Sequence, residues 1–359
     1  MEVLLKMSNI HVMALDFGNG FVKGRINDEN FVIPSRIGYK SNNDKQLEGF
    51  INSEIDVSEF VINDDYENII LFGKDLDKTT STGKDTASTN NRYIYQSFED
   101  LVECSIGLLA RELPEEEIDV VIATGMPSNE IDSKSQAQFE EILRRNRSIT
   151  IDGITKVVNV QDIKIIAQPM GTLLDLHMEN GKVFKSFTEG KYSVLDFGSG
   201  TTIIDTYQNL KRVEEESFVI NKGMIDFYKR IATHVSKEAD GASITPRMIE
   251  QGMEYKQCKV NSRLTVDFVD YFIEEQEKII QEVMSRFETV VGNINSIDRI
   301  IVTGGGSAVH FDSLSYYYPD VFEKVENSQL SNVRGYEKLG ELLKDKVEQE
   351  VDRFEQTRN

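Results

Sequence analysis

The chain has 359 residues, which exceeds one ordinary hydrophobic core and predicts two domains. Its apolar fraction of 39% and charged fraction of 28% are typical of a soluble globular protein. No apolar run approaches the roughly 18 residues of a membrane-spanning helix, and the apolar stretch at the N-terminus is too short for a secretion signal. We therefore expect a cytoplasmic protein with no membrane partner.

The net charge of −21 bears on partners, because a protein that grips DNA must neutralise phosphates with clustered Lys and Arg side chains. No such basic stripe appears in the sequence, which argues against direct DNA binding and leaves any DNA to a basic adaptor. Solubility alone is the simpler explanation of the acidity.

The first strong pattern predicts a β-hairpin. Residues 12–15 are an apolar run, Asp16-Phe17-Gly18-Asn19-Gly20 has the composition of a turn, and residues 21–26 return to β-type side chains. Further on, short strands are predicted at 31–33 and 69–72.

Polar stretches at 40–49 and 77–92 predict loops. A helix is predicted at 97–112 from its apolar spacing, and a buried strand at 120–123 follows it. A helix that leads into a strand indicates α/β architecture.

The hairpin pattern occurs twice. Leu15-Asp16-Phe17-Gly18-Asn19-Gly20 returns 180 residues later as Leu195-Asp196-Phe197-Gly198-Ser199-Gly200, again between an apolar run and β-type residues. Because this spacing is far longer than the 20–50 residues of a solenoid repeat, it predicts two related domains. Each domain is expected to open with the same strand and turn.

The last predicted elements are a strand at 299–303, which runs into glycines, and a closing helix from Gly335 onwards. The apolar face of that helix is expected to pack on a core and carries Leu339, Leu343, Val347, Val351 and Phe354.

Each D-F-G-x-G turn can direct backbone amides at anionic oxygens, and its aspartate can hold a hydrated Mg²⁺ ion. A single turn of this kind is better explained as a tight hairpin with no ligand, but its recurrence favours a polyphosphate held by both turns. The residues assigned to phosphate are Gly18, Asn19, Gly20, Phe21 and Lys23 in the first turn and Gly198, Ser199, Gly200 and Thr201 in the second.

Gly304-Gly305-Gly306 would let a base or ribose lie against the backbone, and Ser307 would open a helix whose N-terminus favours phosphate. The spacing is not the Rossmann fingerprint, and neither Gly73-Lys74 nor Gly83-Lys84 makes a Walker loop, since Asp follows each lysine. The sequence therefore predicts a nucleotide site of another type.

In order and spacing, the loops at 14–24 and 194–204 and the glycine motif at 301–308 resemble the fold shared by actin, sugar kinases and the seventy-kilodalton heat-shock chaperones. More narrowly, DFGNGFVKG, TGMPSNE, AQPMGTLLD, VLDFGSGTTIIDTYQN and IVTGGG resemble the ParM proteins of Gram-positive (staphylococcal) plasmids over nearly the whole chain. The resemblance implies an α/β fold of two duplicated RNase H-like domains that flank a nucleotide cleft, each with a smaller subdomain insertion.

The domain limits implied by this resemblance are domain I at 1–167 plus 335–359 with subdomain IB at about 31–95, an interdomain helix at 168–179, and domain II at 180–334 with subdomain IIB at about 215–290.

The resemblance also implies a nucleoside triphosphatase that takes ATP or GTP with Mg²⁺, assembles with itself into filaments and segregates low-copy plasmids. Its expected partner is a ParR-like DNA-binding adaptor on a plasmid centromere. By resemblance, Gln168 orients the water that attacks the γ-phosphate, while Asp16 and Asp196 hold the Mg²⁺ water shell. Some family members carry Glu in place of Gln168, and glutamine is not a general base. The alternative for Gln168 is an interdomain polar contact without chemistry.

Two other functions of the same fold stay open at this point: a small-molecule kinase that phosphorylates a sugar or acid, and a chaperone-like ATPase. The sequence shows no acidic base motif for the first and no peptide-binding domain beyond the closing helix for the second.

Overall fold

The computed structural model describes residues 9–40, 55–79, 83–86, 91–131 and 133–356. The chain forms two compact units, Met1–Val183 with Asn332–Asn359 and Phe184–Ser331. All of the loop predicted at 40–49 except residue 40, and residues 80–82 and 87–90 of the loop predicted at 77–92, lie outside the described residues.

The large sheet of the first unit carries the predicted opening hairpin. Its strands are β1 (Ile10–Phe17), β2 (Phe21–Ile26), β3 (Glu29–Pro34), β4 (Arg36–Tyr39), β5 (Ser58–Ile62), β6 (Ile70–Phe72), β7 (Lys84–Asp85), β8 (Glu117–Met126), β9 (Arg147–Ile151) and β10 (Ile154–Ala167). They lie in the order β3-β2-β1-β8-β10-β9-β5-β6-β4-β7. β1 is buried along nearly its whole length because it pairs with β2 on one side and β8 on the other, which explains its continuous apolar run.

The helices of the described chain are α1 (Leu76–Thr79), α2 (Gln96–Arg111), α3 (Lys134–Leu143), α4 (Gln168–His177), α5 (Lys185–Glu189), α6 (Met224–Glu238), α7 (Pro246–Gln251), α8 (Val269–Val290), α9 (Ser307–Tyr317) and α10 (Ser331–Gln356). The helix predicted at 97–112 is confirmed as α2, and the strand predicted at 120–123 is confirmed within β8. The linking helix predicted at 168–179 ends at His177, and the first unit retains it. No helix within the described ranges is long and apolar enough to cross a membrane.

The end of β1 is fixed in place by aromatic packing. The ring of Phe17 lies 5.8 Å from that of Phe98 on α2 and 5.6 Å from that of Phe139 on α3, both edge to face. All three side chains belong to the main core of the first unit. The turn that follows Phe17 therefore starts from a rigid point.

The second unit has a smaller sheet of β13 (Lys191–Phe197), β14 (Thr202–Gln208), β15 (Lys211–Arg212), β16 (Phe218–Ile220), β19 (Arg299–Thr303) and β20 (Phe322–Lys324). Its order is β15-β14-β13-β19-β20, with β16 also paired to β14. The remaining strands of the described chain form two small two-stranded sheets. β11 (Met178–Glu179) pairs with β12 (Lys182–Val183) in the first unit, and β17 (Gln257–Lys259) pairs with β18 (Thr265–Asp267) in the second.

The predicted duplication is confirmed by strand topology. In each unit the opening strand pairs antiparallel with the next strand and parallel with a later one, β1 with β2 and β8, and β13 with β14 and β19. The hairpins also share their register, since Phe17 pairs with Val22 and Phe197 with Thr202. Both turns thus span the same number of residues.

The closing helix α10 begins at Ser331, before the predicted start at Gly335. Leu343 and Val347 pack against a small cluster of Ile10, Val12 and Val121. The helix then continues past the core, because Val351 is 42% exposed.

The core of the second unit contains a histidine without a polar partner. His310 on α9 is fully buried, its ring lies 4.7 Å from that of Phe197 and 5.3 Å from that of Phe227, and within the described chain neither ring nitrogen has a hydrogen-bond partner. Burial lowers the pKa of His310 from 6.5 to about 4.

The lowered pKa of His310 predicts that the folded protein is less stable in mild acid than at neutral pH. The unfolded chain binds a proton at His310 below about pH 6.5, whereas the folded chain does so only near pH 4, so the free energy of unfolding falls as pH falls between these values. Between pH 7 and pH 5 we expect the wild type to lose roughly 1–2 kcal/mol more than His310→Met. Urea unfolding of both proteins at the two pH values measures this difference. Parallel pH dependence of the two proteins would contradict it.

Candidate functional site

The first turn is held from one side by Ser35. The backbone N–H of Ser35 donates to the carbonyl of Gly20 at 2.9 Å, and its hydroxyl donates to the carbonyl of Gly18 at 2.6 Å. Gly18 has no room for a side chain, since a Cβ there would lie 2.8 Å from the carbonyl oxygen of Phe21. The carbonyl oxygens of Gly18 and Gly20 therefore point towards Ser35.

Two backbone amides of this turn point the other way. In a trans peptide the N–H is opposite to the preceding C=O, so the carbonyls of Gly18 and Gly20 direct the amides of Asn19 and Phe21 away from Ser35. The amide of Asn19 has no acceptor among the residues that the structure describes. This side of the turn can accept an anion.

Asp16, at the end of β1, is a buried carboxylate bound by three donors. It is 1% exposed and accepts hydrogen bonds from Lys23 Nζ at 2.9 Å, Gln168 Nε2 at 3.0 Å and Asn332 Nδ2 at 3.4 Å. Asp16 and Lys23 are a cross-strand pair of the hairpin. Three of the predicted site residues thus lie together: Asp16, Lys23 and Gln168.

The second turn is supported by a helix. The first amides of α6 donate to its carbonyls, Met224 N to Gly198 O at 3.0 Å and Ile225 N to Ser199 O at 2.9 Å. A helix N-terminus has amides without intrahelical acceptors, and here the turn supplies those acceptors. By the same peptide geometry the amides of Ser199 and Gly200 point away from α6, and within the described chain neither has an acceptor.

The glycine motif lies against the end of β13, at Asp196 and Phe197. Gly304 has φ of +83°, and a Cβ on it would lie 2.1 Å from Asp196 Oδ1. Gly306 donates its amide to the carbonyl of Phe197 at 3.0 Å, and a Cβ on it would lie 2.4 Å from the sulfur of Met224. The motif therefore joins β19 to the second turn.

Gly305 and Ser307, the other two residues of the motif, differ in their surroundings: the first borders open space and the second is buried. A Cβ on Gly305 would meet nothing within 4 Å, so its backbone borders open space. Ser307 is buried, and its hydroxyl lies 2.6 Å from that of Ser328, which in turn donates to the carbonyl of Gly304 at 3.1 Å. The Ser307 hydroxyl is thus hydrogen-bonded within the second unit.

Two family models match the chain. The model for the N-terminal domain of actin-like proteins covers residues 14–171, and that for the C-terminal part of the archaeal actin homologue, MreB-like, covers residues 194–315. The crystal structure of the apo psk41 ParM protein is 70% identical, with 95% of this chain and 100% of that chain covered and a TM-score of 0.82. This chain belongs to the ParM family of actin-like proteins.

More distant structures share the fold. An archaeal actin homologue is 19% identical over 92% of this chain and 99% of its own, with a TM-score of 0.77, and it also has a structure in complex with ADP. A 15-stranded ParM filament from Clostridium botulinum is 20% identical over 93% of this chain and 99% of its own, with a TM-score of 0.72. No match was found among curated proteins.

Several residues around the ParM-type turns were missed by sequence reasoning. Ser35 and Met224 support the turns through their backbones, and Ser35 also through its hydroxyl. Asn332 donates to Asp16, and Thr172 Oγ1 donates to Asn332 Oδ1 at 2.8 Å. No local pattern distinguishes these residues, because their contacts come from distant parts of the chain.

The chain offers a matched glycine pair that tests the geometry at Asp196. Gly304→Ala should lower the free energy of unfolding by about 2 kcal/mol or more, because alanine is strained at positive φ and its Cβ would strike the Asp196 carboxylate. Gly305→Ala should change it by less than about 0.5 kcal/mol, since the added methyl meets nothing. Denaturant unfolding measures both values, and equal losses would show that the motif is placed differently.

Proposed function

We propose that this chain is a nucleoside triphosphatase whose nucleotide-dependent filaments segregate low-copy plasmids. The observation that carries the proposal is 70% identity to a ParM protein along 95% of the chain. The buried cluster around Asp16, beside a turn with an outward amide, is the arrangement that such a nucleotide site needs. Rival activities of the same fold, a small-molecule kinase or a chaperone-like ATPase, have no comparable support.

The residues present fit a nucleoside triphosphate with Mg²⁺. In the first turn, Asn19, Gly20 and Phe21 offer backbone amides, and Lys23 offers an ammonium that is paired with Asp16. In the second turn, residues 199–201 offer amides and the hydroxyls of Ser199 and Thr201, whereas the Gly198 amide donates within the turn to the carbonyl of Thr201 at 2.9 Å. Open space at Gly305 suits a base or ribose against residues 304–306. We assign ATP or GTP to these positions. The Ser307 amide at the start of α9 donates to the carbonyl of Gly304 at 3.2 Å, so the predicted contact of Ser307 with phosphate would replace that bond.

Asp16 and Asp196 are the carboxylates that we assign to the Mg²⁺ water shell. Both are buried at the second-last position of their strands, Asp16 in β1 at 1% and Asp196 in β13 at 5% exposure. Mg²⁺ prefers oxygen ligands and retains several waters, so few direct protein ligands are required. When bound, Mg²⁺ screens the charge of the phosphates. No group of three or more His, Cys, Asp or Glu side chains in the described ranges forms a direct metal cage.

Gln168 is the residue that we assign to water orientation. Its Nε2 donates to Asp16 Oδ1 at 3.0 Å, and a carboxylate accepts only, so this contact fixes which end of the amide faces Asp16. The amide oxygen Oε1 is then available to accept a hydrogen bond from a water molecule. Phosphoryl transfer relies mainly on positioning and charge stabilisation, so a glutamine is sufficient without a general base.

The partners in this proposal are further copies of the chain and a ParR-like adaptor bound to a plasmid centromere. A net charge of −21 repels the DNA backbone, which favours recruitment of DNA through a basic adaptor over direct binding. The same proposal gives the protein a cytoplasmic site of action without a membrane partner.

Gln168→Ala should separate nucleotide binding from hydrolysis. We expect phosphate release to slow at least about tenfold, equivalent to about 1.4 kcal/mol of barrier, while nucleotide affinity stays within about twofold. Gln161→Ala is the matched control, since Gln161 is a glutamine on β10 whose side chain donates to Asp119 at an exposed position. Unchanged turnover in Gln168→Ala would remove Gln168 from the mechanism.

Sedimentation and light scattering test the proposed activity directly. With Mg²⁺ and ATP or GTP the protein should assemble and pellet, and assembly should decay as phosphate is released; with EDTA it should stay in the supernatant. Gln168→Ala filaments should persist longer than wild-type filaments. Phosphate transfer to a metabolite without assembly would identify the protein as a kinase and overturn the proposal.

A further inference from the structure

Two buried side chains next to Asp16 form a hydrogen-bonded pair that the nucleotide site as proposed does not use. Thr172 on α4 is 0% exposed and Asn332 on α10 is 6% exposed. The Thr172 hydroxyl donates to Asn332 Oδ1 at 2.8 Å. A buried side chain–side chain hydrogen bond of this length joins helices that are 160 residues apart in sequence.

The pair determines which end of the Asn332 amide faces Asp16. Because Oδ1 accepts from Thr172, Nδ2 is directed at Asp16 Oδ2, 3.4 Å away. The same oxygen accepts from Lys23, while Oδ1 of Asp16 accepts from Gln168. Both carboxylate oxygens are thereby held, and Thr172 acts on one of them through Asn332.

The backbones that carry this pair are in direct contact. A Cβ on Gly335 would lie 1.8 Å from the carbonyl oxygen of Gly171, and a Cβ on Gly171 would lie 2.9 Å from that of Asn332. An ion pair between Arg334 and Asp175 and a hydrogen bond of 3.1 Å from the Tyr336 hydroxyl to the carbonyl of Gln168 join the same two helices. A shift of either helix that restored a lost contact would disrupt these other contacts.

We propose that Thr172 and Asn332 are positioning residues, which hold the Asp16 carboxylate in the orientation that Mg²⁺-dependent nucleotide binding requires. This inference rests on the proposed function. Groups that orient a metal-associated carboxylate change metal affinity without contacting the metal themselves. The pair therefore acts on the Mg²⁺-dependent part of binding and leaves contacts to the nucleotide alone unchanged.

Thr172→Val tests the pair, because it keeps the side-chain shape and removes the hydroxyl. We expect the Mg²⁺ concentration at half-maximal binding of a fluorescent ATP analogue to rise about tenfold, with binding of the analogue in EDTA unchanged. Thr172→Ser keeps the donor and should behave as wild type. Thr155→Val is the matched control, since it removes a hydroxyl that lies 2.8 Å from Thr150 Oγ1 in the β9–β10 hairpin, and it should change neither value.

The outcomes separate this inference from the proposed function. Thermal unfolding establishes that each variant is folded. If Thr172→Val does not fold, Asn332→Ala replaces it, and the same shift in the Mg²⁺ midpoint is expected. If the wild type binds the analogue and Thr172→Val needs the same Mg²⁺ concentration for half-maximal binding, the positioning role is overturned. The proposed nucleotide-binding function is then unaffected. An equal loss with and without Mg²⁺, or a serine variant as weak as the valine variant, would also overturn the positioning role. A wild type that binds no nucleotide would overturn both proposals.

Discussion

The organisation of the first unit depends on one buried carboxylate, Asp16, both of whose oxygens accept hydrogen bonds. A charge that is 1% exposed would be costly without partners, and Asp16 has three donors from three segments: β2, α4 and α10. Each donor constrains the segment that carries it. The hairpin, the helix that follows β10 and the returning helix are thus held at one point, with Thr172 and the contact of Gly171 with Gly335 completing the arrangement.

Locally encoded features of the fold could be predicted from the sequence. The two hairpins, α2, the central strand β8 and the strand at 299–303 are encoded by apolar periodicity and by turn residues a few positions apart, and all are confirmed. The duplication followed from a repeated hexapeptide and is confirmed by the matching strand order. Membership of the ParM family is confirmed, whereas the domain limits and the roles of individual site residues stay predictions.

The missed features depend on tertiary structure. Asn332 donates to a residue 316 positions away, and no periodicity or spacing can indicate such a contact. Ser35 follows a proline in an ordinary strand sequence, and its role depends on the path of the chain after β3. The closing helix starts before Gly335 because this glycine marks a close helix contact and not a helix boundary. The roles of such residues can be recognised only from the three-dimensional structure.

The support of the second turn has an electrostatic consequence. Carbonyls of Gly198 and Ser199 prolong the hydrogen-bonded peptide array of α6, whose macrodipole places roughly half a positive charge at this end. Polarisation along such an array strengthens the outer amides as anion donors. The first turn is held by Ser35 instead, and the Lys23 ammonium of the same hairpin is paired with the Asp16 carboxylate at 2.9 Å. The duplicated hairpins have therefore diverged in how they present charge to an anion: the second turn is backed by the oriented peptides of a helix, whereas the first lies beside an ion pair whose opposite charges offset each other.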